Sequence, residues 1–171
     1  MNRLLHYLQT PRYLAAAVAI ASAVILSGAY ISQYGFGLKP CILCLYQRVP
    51  YLVNIALGVI AFVASFRYPR LTKPLVALAA LSFCVGAAIA GFHVGVEQGW
   101  WKGLPSCGGD IVPKNVSIEE LRQAMEHQEI VRCDQPAFVF LGISMAGYNF
   151  LISLALVGGI TYLLRKKNHG A

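Results

Sequence analysis

With 171 residues, 57% of them hydrophobic and 12% charged, and a mean hydropathy of +0.60, the chain is too apolar for a water-soluble domain. Its formal charge of +7 gathers in short clusters beside apolar stretches, a pattern of membrane topology rather than of a nucleic-acid footprint. Soluble globules and nucleic-acid binders are thereby excluded, and a single all-α integral membrane domain over 1–171 is expected.

Four stretches are long and apolar enough to cross a bilayer, which takes about 20 helical residues. They run over 12–33, 45–66, 74–96 and 138–164, joined on one side by a short loop, 34–44, and a long one, 97–137. The first follows Arg3 and Arg12 and carries Ser27-Gly28-Ala29 near its end, as a cleaved signal peptide does. Its apolar run is longer than a signal core and three more spans follow, so it reads as a span.

Lysine and arginine in short loops set orientation. Arg3 and Arg12, then Arg67, Arg70 and Lys73, then Arg165, Lys166 and Lys167 flank the spans on one side, with none of the seven acids among them. Both termini are therefore expected in the cytoplasm. All seven acids lie between Glu97 and Asp134, where four bases leave the long loop at −3.

The short loop ends in Lys39-Pro40, which favours an extended approach to Cys41-Ile42-Leu43-Cys44 at the start of the second span. Cysteines at a helix N-terminus feel the positive end of its dipole. Arg48, at i+4 from Cys44, adds a cation on the same face, and both effects favour the reactive thiolate. An inert staple with a snorkelling arginine is the plain alternative, although a bridge across two residues constrains little chain. A thioredoxin-like motif would need a βαβ pattern around the cysteines, and the flanks are membrane sequence instead.

In the third span Cys84 reads as a small packing residue, and His93 lies near its outer end. The long loop opens with Trp100-Trp101, suited to an interface belt. Cys107 follows within Pro105-Ser106-Cys107-Gly108-Gly109, a small-residue stretch expected to leave it accessible rather than packed. Ser117-Ile118-Glu119-Glu120 is a capping box that predicts a short surface helix to about Glu129. Cys133 follows, so four of the five cysteines face the oxidising compartment.

Four spans, the string Cys41-Ile42-Leu43-Cys44-Leu45-Tyr46-Gln47-Arg48, Cys107 and Cys133 in the long loop, and Arg132-Cys133-Asp134 before Phe140-Leu141-Gly142 together resemble the DsbB family over nearly the whole chain. Gln47 stands where some members have glutamate. The resemblance implies a bacterial inner-membrane thiol:quinone oxidoreductase, a four-helix bundle with periplasmic cysteine loops. It would reoxidise a periplasmic DsbA-like thioredoxin-fold oxidase and pass the electrons to ubiquinone or menaquinone. Residue by residue, it implies that the partner attacks Cys107 of a Cys107–Cys133 disulfide and that the released Cys133 attacks Cys41 of a Cys41–Cys44 disulfide. Cys44 then delivers electrons to a quinone held by Arg48 and His93. DsbA is oxidising, near −120 mV, so an ordinary couple near about −200 mV would receive its electrons uphill by roughly 3.7 kcal/mol. The cysteine pairs must be unusually oxidising, or the quinone must draw the sequence forward.

Three readings compete with this one. A relative dedicated to a single oxidase or substrate would have the same sequence features. Structural disulfides in a non-enzymatic membrane module would make the cysteines inert. A zinc site on the four outer cysteines would want a second CxxC, and none is present, so no metal is expected.

Overall fold

The computed structural model describes residues 10–107 and 131–168, and its frame is four long helices. Helix α1, Pro11–Gly35, starts on a proline whose missing N–H costs nothing in a first turn. Helix α2 is Ile42–Arg67, α3 is Pro69–Glu97, again opened by proline, and α4 is Met145–Asn168. Each is long and apolar enough to cross a membrane. The expected four-helix membrane fold is thus present. The surface helix expected from Ser117 lies outside the described residues.

Successive helices pack as neighbours, α1 on α2, α2 on α3 and α3 on α4. One stripe of each helix is buried, such as Leu14, Val18, Ser22 and Leu26 on α1. The large residues of the outer faces, Ile20, Val24, Ile60 and Val63 among them, point away from the bundle as lipid-facing residues do. Without water to drive apolar faces together, membrane helices hold by close backbone approach at small residues. Gly58 of α2 shows this: a Cβ there would lie 2.8 Å from the Ala15 carbonyl oxygen of α1.

The last helix starts later than the sequence suggests. Residues ahead of Met145 form a two-stranded antiparallel hairpin, β1 (Val139–Phe140) with β2 (Ile143–Ser144), pairing Val139 with Ser144 and Phe140 with Ile143. Leu141 and Gly142 form its turn with φ of 49° and 78°, the doubly positive geometry that matches strand twist. Ser144 then accepts the Gly147 backbone N–H at 3.1 Å and so starts α4. Hydropathy alone cannot separate this apolar hairpin from the span it precedes.

Two further expectations change. Glu97, assigned by sequence to the long loop, is the last residue of α3 with a side chain only 5% exposed. Cys84, expected to pack inside, lies on the exposed face of α3.

Candidate functional site

The N-terminus of α2, the C-termini of α1 and α3 and the N-terminus of α4 meet at one end of the bundle, where nearly all the singled-out residues gather. Cys41 is the N-cap of α2, and its sulfur accepts the Cys44 backbone N–H at 3.2 Å. The two sulfurs lie 2.8 Å apart, and His93 Nε2 of α3 lies 3.5 Å from Cys41 Sγ. The hydrogen bond from the Cys44 thiol does most to lower the pKa of Cys41. The hydrogen bonds from His93 and the Cys44 amide add to it, and burial opposes them. The helix-terminus effect expected of the motif therefore falls on Cys41, which sits ahead of the helix with its sulfur turned onto the first turn's N–H.

Cys107 and Cys133 are joined by a disulfide with Cα atoms 5.1 Å apart. Cys107 ends a 3-10 turn, Pro105–Cys107, and its carbonyl accepts the Cys133 N–H at 3.0 Å. This bridge packs into one apolar cluster with Cys41, Leu43 and Val96, bringing the two cysteine pairs side by side. The expected accessibility of Cys107 is corrected here. It is 5% exposed, because the bridge and Val96 cover it.

A polar chain that sequence reasoning missed runs from the dithiol into the bundle. Gln47 Nε2 donates to His93 Nδ1 at 2.7 Å, Asn149 Nδ2 of α4 donates to Gln47 Oε1, and Tyr51 donates to Asn149 Oδ1. Tyr51 also shares a hydrogen bond of 3.1 Å with Ser153. Because Gln47 donates to Nδ1, a neutral His93 keeps its proton on Nε2, facing Cys41. The same Nε2 lies 3.8 Å from Glu97 Oε1, and Ser144 donates to the other carboxylate oxygen. Polar residues at i, i+4 spacing inside apolar spans, Gln47 with Tyr51 and Asn149 with Ser153, are the signal by which sequence can find this chain.

Beside the dithiol a cavity of about 520 Å³ lies between α1, α2 and the start of α4. Ile25, Leu26, Phe140 and Ile152 contribute apolar walls, and Cys44, Arg48, His93 and Asn149 contribute polar groups. Arg48 is held by a 2.6 Å hydrogen bond to Gln33 Oε1 and sits over the Tyr30 ring, 4.9 Å from its centroid. Volume, apolar walls and a few convergent polar groups suit a small, largely apolar ligand.

Four membrane-length helices with two cysteine pairs at one end define a membrane thiol–disulfide protein. Comparison with known proteins makes this specific. The family model "Disulfide bond formation protein DsbB" matches residues 11–163. An uncharacterized protein of Rickettsia prowazekii (strain Madrid E) is 33% identical, with 92% of this chain and 91% of that protein covered. Disulfide bond formation protein B of Stutzerimonas stutzeri (strain A1501) is 29% identical over 88% of this chain and 93% of its own length. That of Marinobacter nauticus is 27% identical, covering 92% and 94%. The chain belongs to the DsbB family.

Proposed function

We propose that this protein is a thiol:quinone oxidoreductase of the bacterial inner membrane, with both termini cytoplasmic and the cysteine end of the bundle periplasmic. It would reoxidise a DsbA-like thioredoxin-fold oxidase and deliver the electrons to ubiquinone or menaquinone. The observation that carries this reading is the adjacency of three things: the Cys107–Cys133 bridge, the Cys41–Cys44 pair, and a cavity reached by Cys44, Arg48 and His93.

In this sequence of exchanges the partner's thiolate attacks Cys107, forming a mixed disulfide and releasing Cys133 as a thiolate. Cys133 attacks Cys41 of the oxidised pair, forming a Cys41–Cys133 bond and releasing Cys44 as a thiolate at the cavity. The partner's second thiolate resolves the mixed disulfide and leaves Cys107 as a thiol. That thiol takes back Cys133, so that Cys41 and Cys44 together hold the two electrons. When bound, the quinone supplies an acceptor for two electrons and two protons. Arg48, fixed by Gln33 and Tyr30, would help hold that group at the cavity and supply positive charge to an acceptor oxygen that becomes anionic. His93 holds an N–H at Cys41.

Stabilising the Cys41 thiolate stabilises the reduced pair and so makes the corresponding disulfide more oxidising, as in other strongly oxidising CxxC couples. That addresses the uphill step from the partner without invoking the quinone alone. Burial of Cys107 against Val96 means that the bridge must move out of this cluster before a partner can reach it.

The test is quinone absorbance in detergent with reduced thioredoxin-fold oxidase as donor, comparing wild type with Cys44→Ser. The variant should lose turnover by about a thousandfold or more, as loss of a reacting nucleophile does, while still exchanging disulfides with the partner. Wild-type-like turnover in Cys44→Ser would sink the assignment.

A further inference from the structure

The dithiol has a third metal-ligating atom within reach. Cys41 Sγ, Cys44 Sγ and His93 Nε2 all lie within 4.8 Å of one another, with Cys41 and His93 buried. Two thiolates and an imidazole are the donor set of zinc and its softer relative cadmium. We propose that the reduced Cys41–Cys44 pair and His93 form a binding site for a zinc-class cation, which holds the protein in its reduced state. This set differs from the four-cysteine site weighed from the sequence, since Cys107 and Cys133 are taken up by their own bridge.

The geometry needs one small movement. Zinc takes sulfur at about 2.3 Å and imidazole nitrogen at about 2.0–2.1 Å, so tetrahedral bonding puts two sulfurs about 3.7 Å apart. The observed 2.8 Å must open by roughly an ångström, which side-chain rotation of Cys44 toward the cavity provides. Two thiols lose two protons on binding, and a divalent cation with two thiolates is neutral as a unit. That suits burial better than free thiolates do. Glu97 Oε1, 3.8 Å from His93 Nε2, or water from the cavity completes the fourth position.

The surrounding hydrogen bonds can follow the change. Ligation through Nε2 moves the ring proton to Nδ1, where Gln47 now presents its amide nitrogen. Turning that amide offers Oε1 to the Nδ1–H, the usual support of a metal-bound histidine. Asn149 turns in step, so that its oxygen accepts from Gln47 and its nitrogen donates to Tyr51. Tyr51 donates in turn to Ser153, a hydrogen bond that works in either direction. Every group in the chain keeps a partner in both arrangements. Oxidation to the Cys41–Cys44 disulfide removes both thiolates, so the site exists only in the reduced half of the cycle. The inference needs a reducible pair and does not depend on the quinone.

The test uses the full chain in detergent with Cys84, Cys107 and Cys133 changed to alanine, reduced and freed of reductant, and no quinone present. Cd²⁺ is followed by thiolate-to-metal absorption and Zn²⁺ by competition with a chromophoric chelator. One equivalent should bind with release of two protons. Affinity should fall by about tenfold or more in His93→Ala and by a similar factor in Gln47→Leu, and oxidised protein should bind none. Unchanged affinity in His93→Ala, or uptake by the oxidised form, overturns the proposal. In the fully reduced wild-type chain, Zn²⁺ should protect Cys41 and Cys44 from alkylation in mass mapping, and absence of protection would overturn it equally. Quinone turnover is measured separately, so a protein that binds metal but reduces no quinone refutes the functional reading alone.

Discussion

The two cysteine pairs reach the same apolar cluster by opposite routes. Cys41 and Cys44 are neighbours on one helix turn, and their chemistry comes from local geometry: an N-cap sulfur, a backbone N–H and an adjacent thiol. Cys107 and Cys133 are 26 residues apart in sequence, and what brings them to Cys41 is packing on Val96 and Leu43. The local pair is built to hold charge. The distant pair is a covered bridge. In the proposed relay the fixed pair would serve the cavity while the covered pair would receive a protein partner.

The largest effect expected from this contrast is in thiol reactivity. A thiol of ordinary acidity, near pKa 8.5, is only about 0.3% thiolate at pH 6. Cys41, with its pKa lowered, keeps its thiolate as pH falls through that range. In the reduced protein its iodoacetamide rate at pH 6 should therefore exceed that of an ordinary thiol by about a hundredfold. Cys44→Ala removes the leading hydrogen bond and should move the midpoint of the rate profile upward, with a smaller upward move in His93→Ala. Profiles that coincide for all three proteins would remove the distinction between the pairs.

A smaller effect is expected on the cavity side. Arg48→Ala should raise the quinone KM by about tenfold, the scale of a lost charged hydrogen bond, with less change in Arg48→Lys. Unaltered kinetics in both would leave Arg48 as a positioning group for Gln33 and Tyr30.

The smallest effect sharpens the covered pair. A Cβ on Gly95 would lie 2.0 Å from the Trp101 ring, which stacks on Phe92 and donates to the Phe92 carbonyl at 2.9 Å. Gly95→Ala should displace the indole, lower stability by about 1–3 kcal/mol, and loosen the segment leading to Cys107. Tryptophan fluorescence and thermal unfolding in detergent measure the first two, and faster reduction of the Cys107–Cys133 bridge measures the third.

Much of the site was readable only in pieces. Arg48 beside a CxxC could be picked out because it lies one turn beyond Cys44 on the same helix. Gln47 carried no weight in the sequence, yet it fixes the tautomer of His93, 46 residues away, and meets Asn149, 102 residues away. Glu97 looked like one more loop acid because hydropathy falls there, whereas the helix runs on and buries its side chain between His93 and Ser144. The hairpin before α4 escaped notice because its residues are as apolar as the span they precede.

The sequence by itself determined the four spans and the CxxC at a helix start. Run length, prolines and helix-end chemistry are local and need no partner. The cover over Cys107, the approach of His93 to Cys41 and the chain from Ser153 to His93 were decided by tertiary structure alone. Each depends on which faces of separate helices meet, and similar apolar stripes allow more than one packing until close contacts such as Gly58 on Ala15 select one.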